Sequence, residues 1–190
     1  MLRIDCLRSI YGELENRLVV TIMGAVAAEL QSLGHRHNFF YLQHAMGLAS
    51  STGLGLALCL PDEKVIVFDG DGSVLMNLGG LSTMARYKPS NLVHVIFDNE
   101  SLLSVGGFPT ATATGTDLEG IARASGFEKT ATVRNVDEFR ETVVEAIRGK
   151  GLSCIVAKVE AAGPAAYVTD LGLIENRIQF QRYILSRRRG

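Results

Sequence analysis

Four prolines, three cysteines and no tryptophan stand among the 190 residues. Cys6, Cys59 and Cys154 are odd in number and lack a CxxC spacing, so neither a disulfide framework nor a zinc knuckle is indicated, and a reducing cytoplasm is expected. A charge excess is missing too. The 19 Lys and Arg against 20 Asp and Glu give no electrostatic footprint for nucleic acid or for an acidic membrane surface. The opening MLRIDCLRSIYGELENR has no apolar core behind a basic start, so no export leader is expected. Residues 38–61 lack Asp, Glu, Lys and Arg over a length that could span a bilayer. Gln43, His44, Ser50, Ser51 and Thr52 interrupt that stretch, and Gly47, Gly53 and Gly55 weaken it as a helix, which argues against a membrane span. A fully buried helix is expected instead, with Ala49, Ser50, Gly53, Gly55 and Ala57 small enough to admit a neighbouring backbone.

What is present is a globular composition, 47% hydrophobic and 21% charged with 20 glycines, in a length that suits one domain over 1–190. Residues 170–190 read as a C-terminal helix with a basic tail, Arg187 to Arg189, taken as solvated. Apolar β-branched runs predict strands at 18–22, 65–68, 93–97 and 154–159, with shorter ones at 39–41 and 130–133. Helical patterns fall between them at 25–33, 47–60, 77–87, 117–125 and 137–148. This alternation predicts an α/β fold of three layers, a mainly parallel sheet with helices on both faces. In such sheets ligands gather at the carboxyl ends of the strands, where the strand order reverses.

Two polar segments follow predicted strands, Asp69-Gly70-Asp71-Gly72-Ser73 and Asp98-Asn99-Glu100-Ser101. Gly70 and Gly72 suit a tight turn with exposed amides, ahead of a helix whose N-terminus favours an anion. A dinucleotide fingerprint competes for this reading, but its third glycine would fall at Leu75, and Asp71 would aim a carboxylate at the pyrophosphate. A carboxylate beside a diphosphate makes chemical sense when a divalent cation bridges them, because Mg²⁺ takes oxygen ligands and shares them with phosphates.

Gly70-Asp71-Gly72-Ser73, with Asn99 following 28 positions after Asp71, resembles the metal-diphosphate motif of thiamine diphosphate enzymes. The resemblance implies a thiamine diphosphate-binding fold, with Mg²⁺ held by Asp71, Asn99 and the backbone carbonyl of Ser101. The usual Asn-Asn ending is Asp98-Asn99 here. His44-Ala45-Met46-Gly47 resembles the turn beneath the thiamine, where Met46 would prop the bent cofactor and His44, in place of a glycine, would lend a backbone carbonyl. Gly24, Gly70, Gly72 and Ser73 complete the implied cofactor contacts. In the loop 21–27, relatives carry polar side chains toward the diphosphate where Ala25 and Ala27 offer only amides.

The segments AMGLASS, GDGSVLMNLGGLSTMA and Gly106-Gly107-Phe108-Pro109-Thr110 resemble the sulfopyruvate decarboxylase β-subunit and phosphonopyruvate decarboxylase branch. That resemblance implies a 2-oxo acid decarboxylase acting on a small anionic substrate. It also implies a missing half: no catalytic residue is assigned in this chain, and a pyrimidine-binding partner subunit would supply the activating glutamate. Self-association is expected as well. An acetolactate synthase-like lyase and a catalytically silent regulatory subunit are the alternatives. Elsewhere, His35 and His37 read as an exposed turn, His94 as a buried neutral histidine with one partner, and 100–116 as a mobile active-site loop.

Overall fold

The computed structural model describes residues 1–164 and 170–187. Six parallel strands form its central sheet: β1 (Leu18–Thr21), β2 (Phe39–Tyr41), β3 (Val65–Gly70), β4 (Leu92–Asp98), β7 (Lys129–Val133) and β8 (Ser153–Lys158). The order is β2-β1-β3-β4-β8-β7. Strands β1, β3 and β4 are buried almost throughout, as a sheet covered on both faces requires.

Right-handed crossovers decide which helix covers which face. Steps toward the β7 edge carry α3 (Ala49–Cys59), α5 (Gly79–Tyr87) and α6 (Leu118–Ser125), and these pack side by side on one face. Steps in the other direction carry α2 (Ala25–Ser32) and α7 (Val136–Arg148) on the opposite face, where α1 (Arg3–Ile10) joins them. Helix α1 was not expected from the sequence. It buries Cys6, Leu7 and Ile10.

The predicted C-terminal helix is α8 (Leu173–Arg187). It closes the β2 edge, with Asn176 acting like a neighbouring strand: its Nδ2 donates to Phe39 O (2.7 Å) and its Oδ1 accepts the Tyr41 N–H (3.0 Å). Phe180 stacks on Phe40 at 5.3 Å. An edge strand's unpaired backbone groups are thereby used up. Arg187, exposed at the end of α8, pairs with Glu63 at 2.9 Å; Arg188 and Arg189 lie outside the described residues.

Two further expectations change. Helix α3 is covered on one side only, since Ser51, Gly55 and Leu58 are exposed while Gly53 and Ala57 are buried. Gly53 does admit close approach: a Cβ there would lie 2.1 Å from Val67 Cγ2. His35 is half-buried, with Nε2 2.7 Å from Gln179 Oε1 of α8 and Nδ1 3.3 Å from the Tyr41 hydroxyl. His94 is buried as expected, with Asp69 Oδ2 as its partner at 3.2 Å. No described helix is long and apolar enough to cross a membrane.

Candidate functional site

From β1 the chain moves outward to β2 and then returns past β1 to β3, so the strand order reverses between β1 and β3. A crevice must open at their carboxyl ends. A pocket of about 100 Å³ lies there, and Gly24, Met46, Gly70, Asp71, Gly72, Ser73, Asn99 and Ser101 all line it. Of the sequence-predicted site residues only His44 lies elsewhere: it is exposed and does not line the pocket. Its φ of 55° explains the glycine expected at that position, because an L-residue is strained in the left-handed region.

The predicted turn around Gly70 is not a loop. Strand β3 runs through Gly70, and α4 (Asp71–Met76) begins directly at Asp71. Gly70 is extended, with φ −120°, and donates its N–H to Asp69 Oδ1. Gly72 is needed for a different reason from the one the sequence suggested. Leu102 Cδ2 sits 2.4 Å from where a Cβ would be, so the glycine lets an overlying segment close down.

That segment has regular structure where a loop was expected. Residues 101–109 form a small antiparallel hairpin of β5 (Ser101–Leu102) and β6 (Phe108–Pro109), followed by a 3₁₀ turn over Ala111–Thr114. Behind the hairpin, Thr110 and Thr112 are buried against Asp71, itself 3% exposed. Thr110 Oγ1 donates to Asp71 Oδ2 (2.5 Å), and Thr112 Oγ1 approaches the same oxygen (3.2 Å). Thr112 Oγ1 also lies 2.8 Å from Thr110 Oγ1 and donates to Asp98 Oδ1 (2.8 Å). Lys158 Nζ pairs with Asp98 Oδ2 (2.7 Å) and Glu100 Oε1 (2.8 Å).

Burial pushes the Asp71 carboxyl above its usual range despite the Thr110 hydrogen bond, and the nearby Asp98 charge adds to the rise. Partial burial disfavours the Lys158 charge, but its bonds to Asp98 and Glu100 outweigh this and hold the ammonium above its usual range. Asp98, where Asn-Asn would have placed an amide, is thus balanced by Lys158.

The other contributors are held as firmly. Gly24 precedes α2 with φ 76°, and no atom lies within 4 Å of where its Cβ would be, which leaves open space against the pocket. Ala25 lines the pocket, whereas Ala27 is buried away from it. Gly47 is clamped by α4, its N–H donated to Ser73 Oγ (3.0 Å) and its carbonyl accepting from Asn77 Nδ2 (2.8 Å). Met46, one residue earlier, is held half-buried at the pocket wall. Asn99 Oδ1 accepts the Ser101 N–H (3.1 Å).

Asp71, Asn99 and Ser101, all oxygen-bearing, therefore line one small space. No cluster of three or more His, Cys, Asp or Glu suited to a metal occurs among the described residues, so a cation here would have to complete its shell with oxygens from elsewhere. That donor chemistry suits Mg²⁺ shared with a diphosphate. Sequence reasoning missed Thr110, Thr112, Asn77 and Lys158. No periodic signal marks the threonines, because Thr110 only precedes and Thr112 lies within the 3₁₀ turn Ala111–Thr114.

A second cavity, about 990 Å³, opens between α1, α2 and α8, with Arg3, Glu29, His35 and Gln179 in its lining.

Comparison with known proteins bears on the smaller pocket. The family model described as "Thiamine pyrophosphate enzyme, C-terminal TPP binding domain" matches residues 20–157. The chain is 42% identical over 157 residues to the sulfopyruvate decarboxylase subunit beta of Methanocaldococcus jannaschii, covering 82% of each. It is 38% identical over 150 residues to the phosphonopyruvate decarboxylase of Streptomyces viridochromogenes, where the match takes 78% of this chain and 37% of that one. The solved benzoylformate decarboxylase of Polynucleobacter necessarius superposes with a TM-score of 0.72 at 20% identity, over 87% of this chain and 34% of that one; this likeness is one of fold.

Proposed function

We propose, from the premise that this chain belongs to the thiamine pyrophosphate enzyme family through its C-terminal TPP-binding domain, that it is the diphosphate- and Mg²⁺-binding subunit of a cytoplasmic 2-oxo acid decarboxylase. The proposed substrate is sulfopyruvate or phosphonopyruvate, the substrates in the names of its relatives. The whole of 1–190 serves as one such domain.

The observation that carries this reading is the size and chemistry of the pocket. Its roughly 100 Å³ is about the liquid volume of three waters, against roughly 300–1,000 Å³ for a pocket that encloses a drug-sized ligand. It takes the anionic end of a cofactor with its cation and leaves the remainder outside this chain. A second subunit, binding the pyrimidine and supplying the activating glutamate, covers that remainder. The relative named as a subunit beta, of which this chain covers 82%, supports such a division.

When bound, thiamine diphosphate supplies a nucleophilic C2 carbon that adds to the 2-oxo group and accepts the electrons released with carbon dioxide. This chain's residues hold it there. Asp71, Asn99 and the Ser101 carbonyl would take the cation, the backbone at Gly24, Gly72 and Ser73 would meet the diphosphate, and Gly70, whose N–H is taken by Asp69, would leave room beside it. The Ser73 hydroxyl oxygen fastens the Gly47 turn, so that Met46 stays at a fixed height as the prop, with the His44 carbonyl beyond it. The exposed side of α3, where Gly55 and Leu58 face outward, serves self-association.

The test is reconstitution with a pyrimidine-domain subunit. The lone chain is expected to release no carbon dioxide from sulfopyruvate or phosphonopyruvate, and the pair to release it in a Mg²⁺-dependent manner. Robust turnover by the lone chain would overturn the half-site reading, and activity of the pair on pyruvate alone would overturn the substrate. Ala25, which gives the diphosphate no polar side chain, favours a silent regulatory subunit as the second reading; failure of the pair to bind thiamine diphosphate would select it.

A further inference from the structure

Metal or cofactor binding alone does not explain why two buried threonines, an aspartate and a lysine converge behind Asp71. Thr110 and Thr112 are 6% and 5% exposed, and both oxygens lie against Asp71 Oδ2. They also end the hairpin whose Leu102 side chain packs over Gly72 at the pocket. The hairpin is short: besides the Ser101–Pro109 and Leu102–Phe108 strand pairs it has Gly107 N–H to Leu102 O (3.0 Å), Gly106 N–H to Leu103 O (3.4 Å) and Thr110 N–H to Glu100 O (3.1 Å). Its residues 104–109 are exposed. A two-stranded hairpin of this size has little stability of its own, so its position depends on what ties it down.

We propose that Thr110 and Thr112 are positioning residues that latch the 101–109 hairpin over the pocket through Asp71, and that the same bonds fix the orientation of the Asp71 carboxylate for a divalent cation. Asp98 anchors the far end of the latch. It accepts from Thr112 while Lys158 neutralises it, so the Thr112 hydroxyl is held between two carboxylates and cannot swing away. Latch closure and cation binding then reinforce each other, because each pre-orders the carboxylate the other uses. Linkage requires the effect to be reciprocal and equal. The cation half of this inference rests on the proposed function; the latch half does not.

The experiment uses the full chain, with Mn²⁺ and thiamine diphosphate as the probe. Amide hydrogen exchange at residues 102–110 is read without metal in the wild type and in Thr110→Val, Thr112→Val and Thr110→Ser. A bond from hydroxyl to buried carboxylate is strong enough that its loss should raise hairpin exchange about tenfold or more. The valine variants should show that rise and the serine variant should stay near wild type. Mn²⁺ titration, followed by paramagnetic resonance, should show affinity falling by a matching factor in the valine variants and recovering in the serine variant, and added Mn²⁺ should slow hairpin exchange. Unchanged exchange in both valine variants overturns the latch. Raised exchange with unaltered Mn²⁺ affinity overturns the positioning of Asp71. A wild type that binds no Mn²⁺, or an Asp71→Ala variant that binds it equally well, overturns the coupling and the cation reading together, while the exchange data still decide the latch.

Discussion

The cavity of about 990 Å³ and the pocket of about 100 Å³ differ tenfold in room, and also in how the buried carboxyl of each is partnered. In the large cavity the buried carboxylate, Glu29, has a cationic partner. Arg3 donates through Nε and Nη2 to the two oxygens of Glu29, each at 2.9 Å, and again to Ala162 O at 3.0 Å. Both residues are buried, so the pair is a closed bidentate unit. In the small pocket Asp71 has hydroxyls and a second carboxyl as neighbours; Lys158 is taken by Asp98 and Glu100, and Arg3, which lines this pocket too, is taken by Glu29. Among the described residues no cationic side chain pairs with Asp71. A buried carboxyl without a cationic partner, rather than volume, distinguishes the small pocket.

The largest expected effect breaks the small pocket. Asp71→Ala should reduce Mg²⁺-dependent binding of thiamine diphosphate by about 100-fold or more while leaving the circular dichroism spectrum unchanged, since removing a direct ligand exceeds the 10–100-fold typical of supporting groups. Calorimetric titration checks it, and wild-type affinity would show that the carboxylate's charge is answered within the chain after all.

Glu29→Ala is the corresponding challenge to the large cavity. It strands a buried guanidinium and should cost about 3–5 kcal/mol in urea denaturation, the range for breaking a buried pair. A loss below about 1 kcal/mol would mean that water reaches Arg3 and that the larger cavity also holds an available charge.

A third expectation follows from the raised Asp71 carboxyl. A carboxyl with a folded-state pKa above its unfolded value of about 3.9 contributes stability that is present below that value. The contribution is lost as pH rises through the folded pKa. The metal-free wild type should therefore lose stability relative to Asp71→Asn over that window. Because the cation competes with the proton, stabilisation by Mg²⁺ should grow over the same window. Parallel pH profiles for the two proteins would place the unanswered charge elsewhere.

The smallest effect concerns Gly72. Alanine there favours the helix by up to about 1 kcal/mol but meets the terminal methyl of Leu102, so stability should change by about 1 kcal/mol or less while the hairpin exchanges faster. Gly53→Ala, by contrast, meets the β-branched Val67 within the sheet and should cost about 1–3 kcal/mol. Equal costs at the two glycines would show that the hairpin is packed as rigidly as the sheet.

The strands were readable because both of their faces are buried and their apolar runs are continuous; β2 was placed at its observed bounds. Helix α1 was not readable, since its polar residues Arg3, Asp5 and Arg8 mask a short buried stripe. The hairpin was read as a mobile loop because glycine, serine and threonine carry no periodicity. His35 was read as exposed because its partners, Tyr41 and Gln179, arrive from distant parts of the chain.

The sequence by itself determined the strand and helix alternation and the residues that gather at one pocket, because hydrophobic period and motif spacing are local properties that survive without coordinates. Only the tertiary structure decided which oxygen of Asp71 is held, why Gly72 has no side chain, and how Asp98 is tolerated. Those answers depend on Thr110, Thr112, Leu102 and Lys158, between 14 and 60 positions from the residues they serve. Burial and charge balance at that range are set by the crossing of strands and not by neighbours in the chain.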